Sequence, residues 1–381
     1  MGRKNSLTVI ADTHIPYLKG VLEPLADITY LSADKITSEA VKDADALIVR
    51  TRTRCDQRVL EGSKVRFIAS ATSGTDHLDF DYCREQGIVC KNAPGCNASS
   101  VAQYLASALI QIAETEKKPL HEFTLGIIGV GHVGEQVRQV GEAYGMEVLL
   151  NDPPRERQEK SERYISLETL LKQADIVSLH VPLNKSGRDQ TLALVDNDFL
   201  SKMKSGSWLI NTSRGEVTVT EELIDELSDK NYILDVWENE PHLDATLLSN
   251  ARIATPHIAG YSVNGKANAT QAVVRELSRY FDLGLGDFKP DIPLPGERGI
   301  IAGSGKDFER LKEIVSHTYD ILYDDRLLRA NPAAFEALRS NYRKRWEFVD
   351  YTVRVQQKDK WLASVVDKLG FNLHIRENND R

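Results

Sequence analysis

Short apolar runs alternate with helical patterns along most of the chain. The first three runs, at 7–11, 45–50 and 65–70, are bounded by polar turns, a pattern typical of buried strands. Helical stretches lie between them, and strands that alternate with helices form parallel sheets. We therefore predict a small parallel α/β unit at the beginning of the chain.

The same pattern restarts at Thr124. A strand is predicted at 125–128, followed by a glycine-rich turn, a helical stretch at 136–144 and a second strand at 147–152. Further strands are predicted at 175–180, 207–211, 232–236 and 252–254. This succession predicts a second, doubly wound sheet that is mostly parallel.

Two long helical stretches divide the chain. The stretch at 98–114 bridges two domains, and the one at 263–283 returns the chain to the first, which is then discontinuous. Pro and Gly residues at 284–295 mark a linker to a charged, Tyr- and Arg-containing region. The predicted fold class is α/β, with two Rossmann-like doubly wound parallel-sheet domains and a small C-terminal α+β domain. The predicted boundaries are 1–96 with 258–287, then 97–257, then 288–381.

Composition excludes several classes of protein. The 381 residues are 41% hydrophobic and 27% charged, as in ordinary globular chains of more than one domain. The net charge of −8 argues against a general nucleic-acid or membrane surface. No secretory or transmembrane segment is visible, which predicts a cytoplasmic protein. The four cysteines form no Cys-x-x-Cys pair, and no His lies at metal-ligand spacing, so we predict no metal site.

The glycine-rich turn has the form Gly-x-Gly-x-x-Gly, directly between a strand and a helix. Gly129 permits the tight turn, Gly131 lets the backbone approach a pyrophosphate, and Gly134 lets the helix pack on the strand. His132 and Val133 are expected to line the turn through their backbones, at a helix N-terminus that attracts phosphates. The motif therefore predicts a dinucleotide site; the alternative is a glycine bend without a ligand.

An acidic residue follows the second strand of this unit. Asp152 lies 18 positions after Gly134, near the spacing expected for the acid that binds an adenosine ribose. A carboxylate there repels a 2′-phosphate, so NAD is predicted as the cofactor rather than NADP. Arg155 keeps NADP open, although a solvated surface arginine explains it equally.

Three polar side chains follow later strands of the same sheet. Arg214 comes after the strand at 207–211, and its planar guanidinium can hold a carboxylate and the adjacent oxygen. His257 can take a hydroxyl proton as a hydride leaves, and Glu240 can fix its tautomer. This trio suits hydride transfer at a carbon next to a carboxylate, so we predict that it is catalytic. The alternatives are an Arg214 that ties two loops together and a structural His257.

Asp235 ends an otherwise apolar strand at 232–236. A carboxylate is costly to bury there unless it has a partner. We predict that it binds the carboxamide of the nicotinamide, and a structural partner such as a backbone amide is the alternative.

Four separated segments in this order resemble the D-isomer-specific 2-hydroxyacid dehydrogenases, over roughly residues 5–285. They are the segments 129–134, 211–215, 235–241 and 255–261. The resemblance implies that a 2-hydroxy acid is oxidised with NAD and that Arg214, Glu240 and His257 form the active trio. It also implies that Val181, Thr212, Ser213 and Gly260 lie along the cofactor, the first and last chiefly through backbone atoms.

Further motifs resemble one subfamily of these enzymes, which acts on a phosphorylated acid. They are the segments 49–53 and 71–77, a Tyr directly after His-Ile-Ala-Gly, and a long C-terminal extension. The resemblance implies substrate contacts from Thr51, Thr72 and Tyr261. It further implies a homodimer formed through the C-terminal domain.

The ligands of the substrate phosphate stay open at this stage. Arg343 and Arg345 lie in an Arg-rich stretch that resembles the subfamily only loosely, and both can equally be solvated. Arg50, Arg52 and Arg54 are the rival candidates. In an extended segment, alternate side chains face the same side, so only some of these can point inward.

Two other functions also stay open. The same catalytic residues would serve on 3-phosphoglycerate, glyoxylate, hydroxypyruvate or lactate, with a C-terminal regulatory module. A non-catalytic protein of the same fold that senses NAD would keep the same three residues, because fold alone does not decide function.

Overall fold

The computed structural model describes residues 7–376 and divides into two compact units. The first unit joins the described residues up to Asn97 with Val263–Pro293, and the second joins Ala98–Ser262 with the described residues from Leu294. The outer ends of the predicted domains 1–96 and 288–381 lie outside the described residues. The three-domain division stays a prediction.

The first unit is a parallel sheet covered by helices. Its described strands follow the order β2-β1-β3-β4-β5. The strands are β1 (Leu7–Asp12), β2 (Ala26–Leu31), β3 (Ala46–Val49), β4 (Phe67–Ser70) and β5 (Val89–Lys91), and the early helices are α1 (Ser38–Val41), α2 (Gln57–Leu60) and α3 (Phe80–Glu85). The predicted strands at 7–11, 45–50 and 65–70 correspond to β1, β3 and β4.

Strands β2 and β5 were absent from the prediction, and both lie at edges of the sheet. The side chains of β2 are only partly buried, so its sequence lacks a continuous apolar run, and β5 is three residues long. The long helix predicted at 263–283 is present as α11 (Val263–Phe281). Its Val273, Val274 and Leu277 are buried against the sheet residue Phe67. The chain therefore returns to the first unit, as predicted.

The second unit contains the larger sheet. Its described strands are parallel, in the order β11-β10-β9-β8-β6-β7. They are β6 (Thr124–Ile128), β7 (Glu147–Asn151), β8 (Ile176–Leu179), β9 (Trp208–Asn211), β10 (Asn231–Leu234) and β11 (Ile253–Ala254). The strand order reverses between β6 and β8. In open α/β sheets, ligands bind at such a reversal, outside the carboxyl ends of the strands.

Helices cover both faces of this sheet. They are α4 (Ala98–Glu116), α5 (His132–Ala143), α6 (Pro153–Glu159), α7 (Leu167–Gln173), α8 (Asn197–Lys202), α9 (Thr220–Asp225) and α10 (Ala245–Asn250). Most of α4 is buried, including its polar Ser100 and Gln103, because it packs between other helices of the unit rather than against solvent. Sequence alone predicted α4 as a bridge between domains from its length and composition.

The C-terminal region adds a small parallel sheet in the order β12-β13-β14. Its elements are β12 (Gly299–Ile301), α12 (Asp307–Thr318), α13 (Ile321–Ala330), α14 (Phe335–Ser340), β13 (Thr352–Gln356), α15 (Lys360–Lys368) and β14 (Asn372–Arg376). Ile314, Val353 and Val366 belong to the same apolar core as Leu105 and Ile127. The C-terminal elements are thus packed onto the larger sheet's unit through a shared core.

Among residues 7–376, no helix has the length and apolar character needed to cross a membrane.

Candidate active site

The glycine turn leaves room for a ligand at one position and for nothing at two others. Gly129 has a φ of +87°, and a Cβ built on it would lie 2.6 Å from the carbonyl oxygen of His180. A Cβ on Gly134 would lie 2.1 Å from the carbonyl oxygen of Gly129. A Cβ on Gly131 would meet no heavy atom within 4 Å. The turn is therefore tightly packed beneath and open at Gly131, as a pyrophosphate cradle requires.

Asp152 is bound to this same turn. Its Oδ2 accepts a hydrogen bond from the backbone N–H of Val130 at 2.7 Å, and its Oδ1 accepts from the N–H of Arg155 at 3.0 Å. The acid thus lies beside the glycine turn, where its predicted role places it. The Arg155 side chain donates to the carbonyl of Val130 and pairs with Glu159 at 3.1 Å. Arg155 is therefore already engaged by groups of the protein.

His132 and Val133 open helix α5 directly after Gly131, which is the N-cap of that helix. Their backbone N–H groups belong to the first turn, whose donors have no acceptor within the helix. An anion at Gly131 therefore faces a helix N-terminus, and the residues present fit the phosphates of a dinucleotide.

His180, which the sequence did not single out, is half-buried and directly follows strand β8. Its Nε2 is 2.9 Å from the Ser178 Oγ, and its Nδ1 is 3.4 Å from the Thr212 Oγ1. Burial lowers the pKa of His180 to about 3, so the imidazole is neutral. Val181 follows it, next to Gly129. Thr212 and Val181, two predicted cofactor residues, are therefore brought to the glycine turn by the ends of neighbouring strands.

The turn that carries Arg214 is built by Asn211. The Asn211 side chain accepts from the backbone N–H of Ser213 at 3.0 Å and from the Ser213 hydroxyl at 2.7 Å. Its amide donates to the carbonyl of Arg214 at 3.0 Å. A Cβ on Gly215 would lie 2.0 Å from the carbonyl carbon of Trp237, so this turn touches the segment that leads to Glu240. Asn211 is buried, and it ends the otherwise apolar strand β9. A polar residue in that place is the sequence signal that would have found it.

The carboxylate of Asp235 faces the loop that contains His257. Its Oδ1 accepts from the Thr255 hydroxyl at 2.7 Å and from the N–H of Ile258 at 2.8 Å, and its Oδ2 accepts from the N–H of Ala259 at 2.9 Å. Asp235 is 1% exposed. Both oxygens thus have hydrogen-bond donors within the protein, and backbone amides are among them, as the alternative to the nicotinamide contact proposes. The assignment of Asp235 to the nicotinamide carboxamide stays a prediction.

His257 and Glu240 form a hydrogen-bonded pair. The Nδ1 atom of His257 lies 2.8 Å from Oε2 and 3.1 Å from Oε1 of Glu240. Glu240 also accepts from the backbone N–H of Trp237 at 3.0 Å. His257 has a φ of +55°, a conformation that is uncommon outside glycine, and its N–H donates to the carbonyl of Asp235 at 2.7 Å. The loop therefore turns the imidazole toward Glu240 and holds it there.

The pair is electrostatically matched. Burial by itself raises the pKa of Glu240, but the hydrogen bond and charge of His257, the N–H of Trp237 and the cation of Arg339 together lower it below its ordinary value. Glu240 is therefore a carboxylate at neutral pH. A carboxylate at Nδ1 fixes the tautomer and the orientation of the imidazole.

Tyr261 and two arginines extend this site toward the C-terminal region. The ring of Tyr261 packs edge-on against that of Tyr342, with centroids 6.0 Å apart. Arg339, which the sequence did not single out, lies 3.7 Å from Glu240. Arg345 is 2% exposed and donates to the carbonyl of Ala259 at 2.5 Å, so its guanidinium is directed into the protein. Gly260, also a predicted cofactor residue, follows Ala259 in the same loop.

The other arginines that were predicted as candidate ligands of the substrate phosphate differ from Arg345 in their surroundings. Arg343 stacks over Tyr323, with its Cζ 4.3 Å from the ring centroid, and lies 3.5 Å from Asp324. In the first unit, the Nε of Arg50 donates to Asp12 at 3.1 Å, and the Nε of Arg54 pairs with Asp56 at 3.2 Å. Arg52 is exposed.

Thr51 and Thr72, the predicted substrate residues of the first unit, follow strands β3 and β4. Thr51 is exposed, whereas the Thr72 hydroxyl donates to the carbonyl of Gly74 at 2.9 Å and therefore accepts from the Ser70 hydroxyl at 2.7 Å. The two threonines lie at the carboxyl edge of the first sheet, and their contact with substrate stays a prediction.

Comparison with known proteins is consistent with this geometry. Residues 98–259 match the family model described as D-isomer specific 2-hydroxyacid dehydrogenase, NAD binding domain. Residues 299–370 match a model described as a domain of unknown function (DUF3410).

Curated relatives cover nearly the whole chain. It is 44% identical to erythronate-4-phosphate dehydrogenase of Bacteroides fragilis over 351 residues, which span 91% of this chain and 99% of that protein. It is 36% identical to the enzyme of the same name from Shewanella oneidensis, over 96% of this chain and 99% of that protein.

Solved structures are similar in fold. NAD⁺-bound 3-phosphoglycerate dehydrogenase of Entamoeba histolytica is 26% identical, with a TM-score of 0.63 over 75% of this chain and 99% of that one. D-lactate dehydrogenase of Aquifex aeolicus, complexed with NAD and lactic acid, is 26% identical, with a TM-score of 0.61 over 76% of this chain and 100% of that one. The residues at the glycine turn thus fit the cofactor that these relatives bind.

Proposed function

The chain belongs to the erythronate-4-phosphate dehydrogenases, within the D-isomer specific 2-hydroxyacid dehydrogenase family, and on this premise we propose that it oxidises 4-phospho-D-erythronate. The product is the 2-oxo acid, 3-hydroxy-2-oxo-4-phosphobutanoate. The protein is an NAD-dependent oxidoreductase of 2-hydroxy acids. The names of its relatives support the phosphorylated substrate, and the reaction would serve pyridoxal 5′-phosphate biosynthesis.

The observation that carries the proposal is the contact between the Nδ1 atom of His257 and the Glu240 carboxylate, at 2.8 Å. Because Nδ1 is occupied, Nε2 is the atom that faces the C2 hydroxyl. In the proposed oxidation, Nε2 accepts the hydroxyl proton while Glu240 stabilises the imidazolium that forms. Arg214 holds the substrate carboxylate and the C2 oxygen as the latter becomes a carbonyl.

The cofactor site is supplied by the second unit. NAD⁺ bound there would supply the acceptor for the hydride of C2. The turn at Gly129, Gly131 and Gly134, with the N–H groups of His132 and Val133, would hold its pyrophosphate, and Asp152 would bind the adenosine ribose. Val181, Thr212, Ser213 and Gly260 would lie along the molecule. Thr51, Thr72 and Tyr261 are proposed as substrate ligands.

The substrate assignment is tested by comparing kcat/KM for 4-phosphoerythronate and for unphosphorylated erythronate, with NAD⁺ and a 2-oxo acid acceptor present. We expect a preference of at least about tenfold for the phosphorylated acid, since a charged hydrogen bond contributes roughly 1.5–3 kcal/mol. Equal turnover of the two acids would leave a general 2-hydroxyacid dehydrogenase. Turnover of neither acid, with NAD bound, would point to a sensor of cofactor state.

We also propose that the protein is a cytoplasmic homodimer that associates through its C-terminal region. Several large apolar side chains there are well exposed, among them Ile301 (59%), Val349 (55%) and Trp361 (44%). Where exposed apolar side chains form one contiguous patch, that patch is typical of a subunit contact. Light scattering after gel filtration tests the dimer: a charged residue at Val349 or Trp361 is expected to yield monomer, and an unchanged mass would contradict this surface.

A further inference from the structure

We propose that Arg339, on the C-terminal helix α14, is a positioning residue for the acid–base pair of Glu240 and His257. The inference rests on the proposed function, because that function gives the pair its role. Arg339 lies outside residues 98–259, which match the NAD-binding model, and inside residues 299–370, which match a domain of unknown function. The C-terminal region would therefore take part in the reaction.

The geometry brings three ionisable groups together at one carboxylate oxygen. The Nη1 atom of Arg339 is 3.7 Å from the Oε2 atom of Glu240, and that same oxygen is 2.8 Å from Nδ1 of His257. The side chains of Arg339 and Glu240 are 17% and 18% exposed, so solvent screens their attraction less than it would at an open surface. Glu240 thus lies between an imidazole and a guanidinium.

Other groups also contact the Arg339 side chain. Its Nη1 donates to Oε1 of Glu336 at 3.2 Å, and its Cζ lies 5.7 Å from the ring centroid of Phe335. Burial opposes the charge, but Tyr261, Glu240 and Glu336 together raise the pKa of Arg339 above its ordinary value. Arg339 is thus the cation beside Glu240, while Glu336 from α14 and Tyr261 from the loop after β11 act on Arg339 itself.

The C-terminal region also fixes the loop on both sides of His257. Before it, the Asp325 carboxylate accepts from the N–H of Ala254 at 2.7 Å. After it, Arg345 donates to the carbonyl of Ala259 at 2.5 Å, and Glu347 accepts from the hydroxyl of Ser262 at 2.7 Å. Helix α14 lies between Asp325 and Arg345 along the chain, so the segments on both sides of it are bound to this loop.

This arrangement has a defined electrostatic consequence. A cation beside Glu240 stabilises the carboxylate and opposes uptake of a proton by the pair. Without it, the pair holds its proton to a higher pH. Oxidation needs the unprotonated pair, so the acidic limb of the kcat/KM profile moves to higher pH when the charge of Arg339 is removed.

The test compares Arg339→Gln with Arg339→Lys, which keeps the charge. For 4-phosphoerythronate oxidation, we expect Arg339→Gln to move the acidic limb up by about half a pH unit, with a lower kcat below pH 7 and KM changed by less than about threefold. In Arg339→Lys, we expect the acidic limb to lie close to its wild-type pH. Arg326→Gln removes an arginine of α13 that is 62% exposed and 3.3 Å from Asp320, and it serves as the matched control.

A second readout needs no substrate. In protein with ¹³C-labelled histidine, the titration midpoint of the His257 ring is expected to rise in Arg339→Gln and to stay within about 0.2 units in Arg339→Lys. If the wild-type enzyme oxidised no 2-hydroxy acid, the proposed function would fail, and this titration would still decide the role of Arg339.

Two results would overturn the proposal. A rise in KM for the phosphorylated acid alone, with the pH profile and ring titration unmoved, would make Arg339 a ligand of the substrate phosphate. A lower thermal midpoint with both titrations unmoved would make it a structural residue of α14.

Discussion

The Oδ2 atom of Asp235 accepts a hydrogen bond at 2.9 Å from the backbone N–H of Ala259, two residues beyond His257. Through this contact the end of strand β10 holds the loop of the acid–base histidine. The other carboxylate oxygen holds Thr255 and Ile258 at 2.7 and 2.8 Å, so the loop is bound on both sides of His257. The position of the imidazole therefore depends on a charged group buried in the sheet.

Asp235→Asn is expected to lower both stability and turnover. The amide nitrogen would face N–H donors, and at least one charged hydrogen bond is lost, which costs roughly 1.5–3 kcal/mol. Thermal unfolding and kcat measure the two effects, and we expect a lower Tm together with a kcat reduced at least about tenfold, since a displaced histidine loses proton-transfer geometry.

Asp244→Asn is the matched control for this change. Asp244 caps α10 by accepting from the N–H of Leu247 at 2.8 Å, and asparagine caps helices about equally well. This variant should retain wild-type Tm and kcat. If Asp235→Asn instead kept its Tm and lost only NAD affinity, Asp235 would be a nicotinamide ligand, as the sequence predicts.

His257→Ala is expected to reduce kcat by about 10²–10⁴-fold, the usual contribution of a general base. Binding of NADH, followed by its fluorescence, should change little, because the glycine turn is built without His257. His242→Ala removes an exposed histidine nearby in sequence and should be neutral. Full activity in the His257 variant would exclude its assignment as the base.

Glu240 is expected to make stability depend on pH in the acidic range. Its pKa in the folded protein is lowered from the ordinary 4.5, so the unfolded chain takes up a proton first as the pH falls. Its contribution to stability is therefore complete above about pH 5, declines as the pH falls through 4.5, and is lost below the folded pKa.

The measurement is the difference in Tm between wild type and Glu240→Gln from pH 7 to pH 3. We expect wild type to be more stable at neutral pH and the difference to shrink below about pH 4.5. Glu156→Gln, at an exposed position of α6, should give a small difference without this trend. A Glu240→Gln difference that stays constant with pH would show that its carboxylate is not stabilised by folding.

The apolar pattern was sufficient for the interior of the fold. Buried strands such as β3 and β4 are continuous apolar runs because both faces of a parallel sheet are covered, so their sequences are distinctive. The side chains of the edge strand β2 are partly exposed to solvent, and its apolar and polar residues do not alternate regularly. Its identity as a strand therefore comes from its pairing with β1. That pairing is a long-range contact that a local pattern does not contain.

The candidate site also has parts that a local pattern predicts and parts that depend on long-range contacts. The glycine turn and its acid were predictable because the backbone geometry demands particular residue types at fixed spacing. Arg339 was not singled out and the role of Arg345 stayed open, since a charged residue of the C-terminal region has the same local sequence whether it is solvated or buried. Arg345 is buried only because the carbonyls of a loop more than eighty positions earlier accept its hydrogen bonds.

Two substitutions in the glycine turn are expected to separate folding from cofactor binding. Gly131→Ala adds a methyl group where no heavy atom lies within 4 Å, and the backbone there has an extended conformation open to alanine. Stability should change by less than about 0.5 kcal/mol. The methyl group occupies the surface that a pyrophosphate approaches, so the Kd for NADH should rise at least about tenfold, because one misplaced phosphate hydrogen bond costs roughly 1.5–3 kcal/mol.

Gly134→Ala should behave in the opposite way. Its Cβ would lie 2.1 Å from the carbonyl oxygen and 3.0 Å from the carbonyl carbon of Gly129, so helix α5 or the turn has to move. Overpacking of this kind costs about 1–3 kcal/mol, and we expect a clearly lower Tm as well as weaker NADH binding. Thermal unfolding and NADH fluorescence titration of both variants provide the comparison. A Gly131→Ala protein that binds NADH like wild type would show that the cofactor does not lie on this turn. The added methyl group meets no heavy atom of the protein within 4 Å, so its effect on the Kd for NADH can come only from contact with the cofactor.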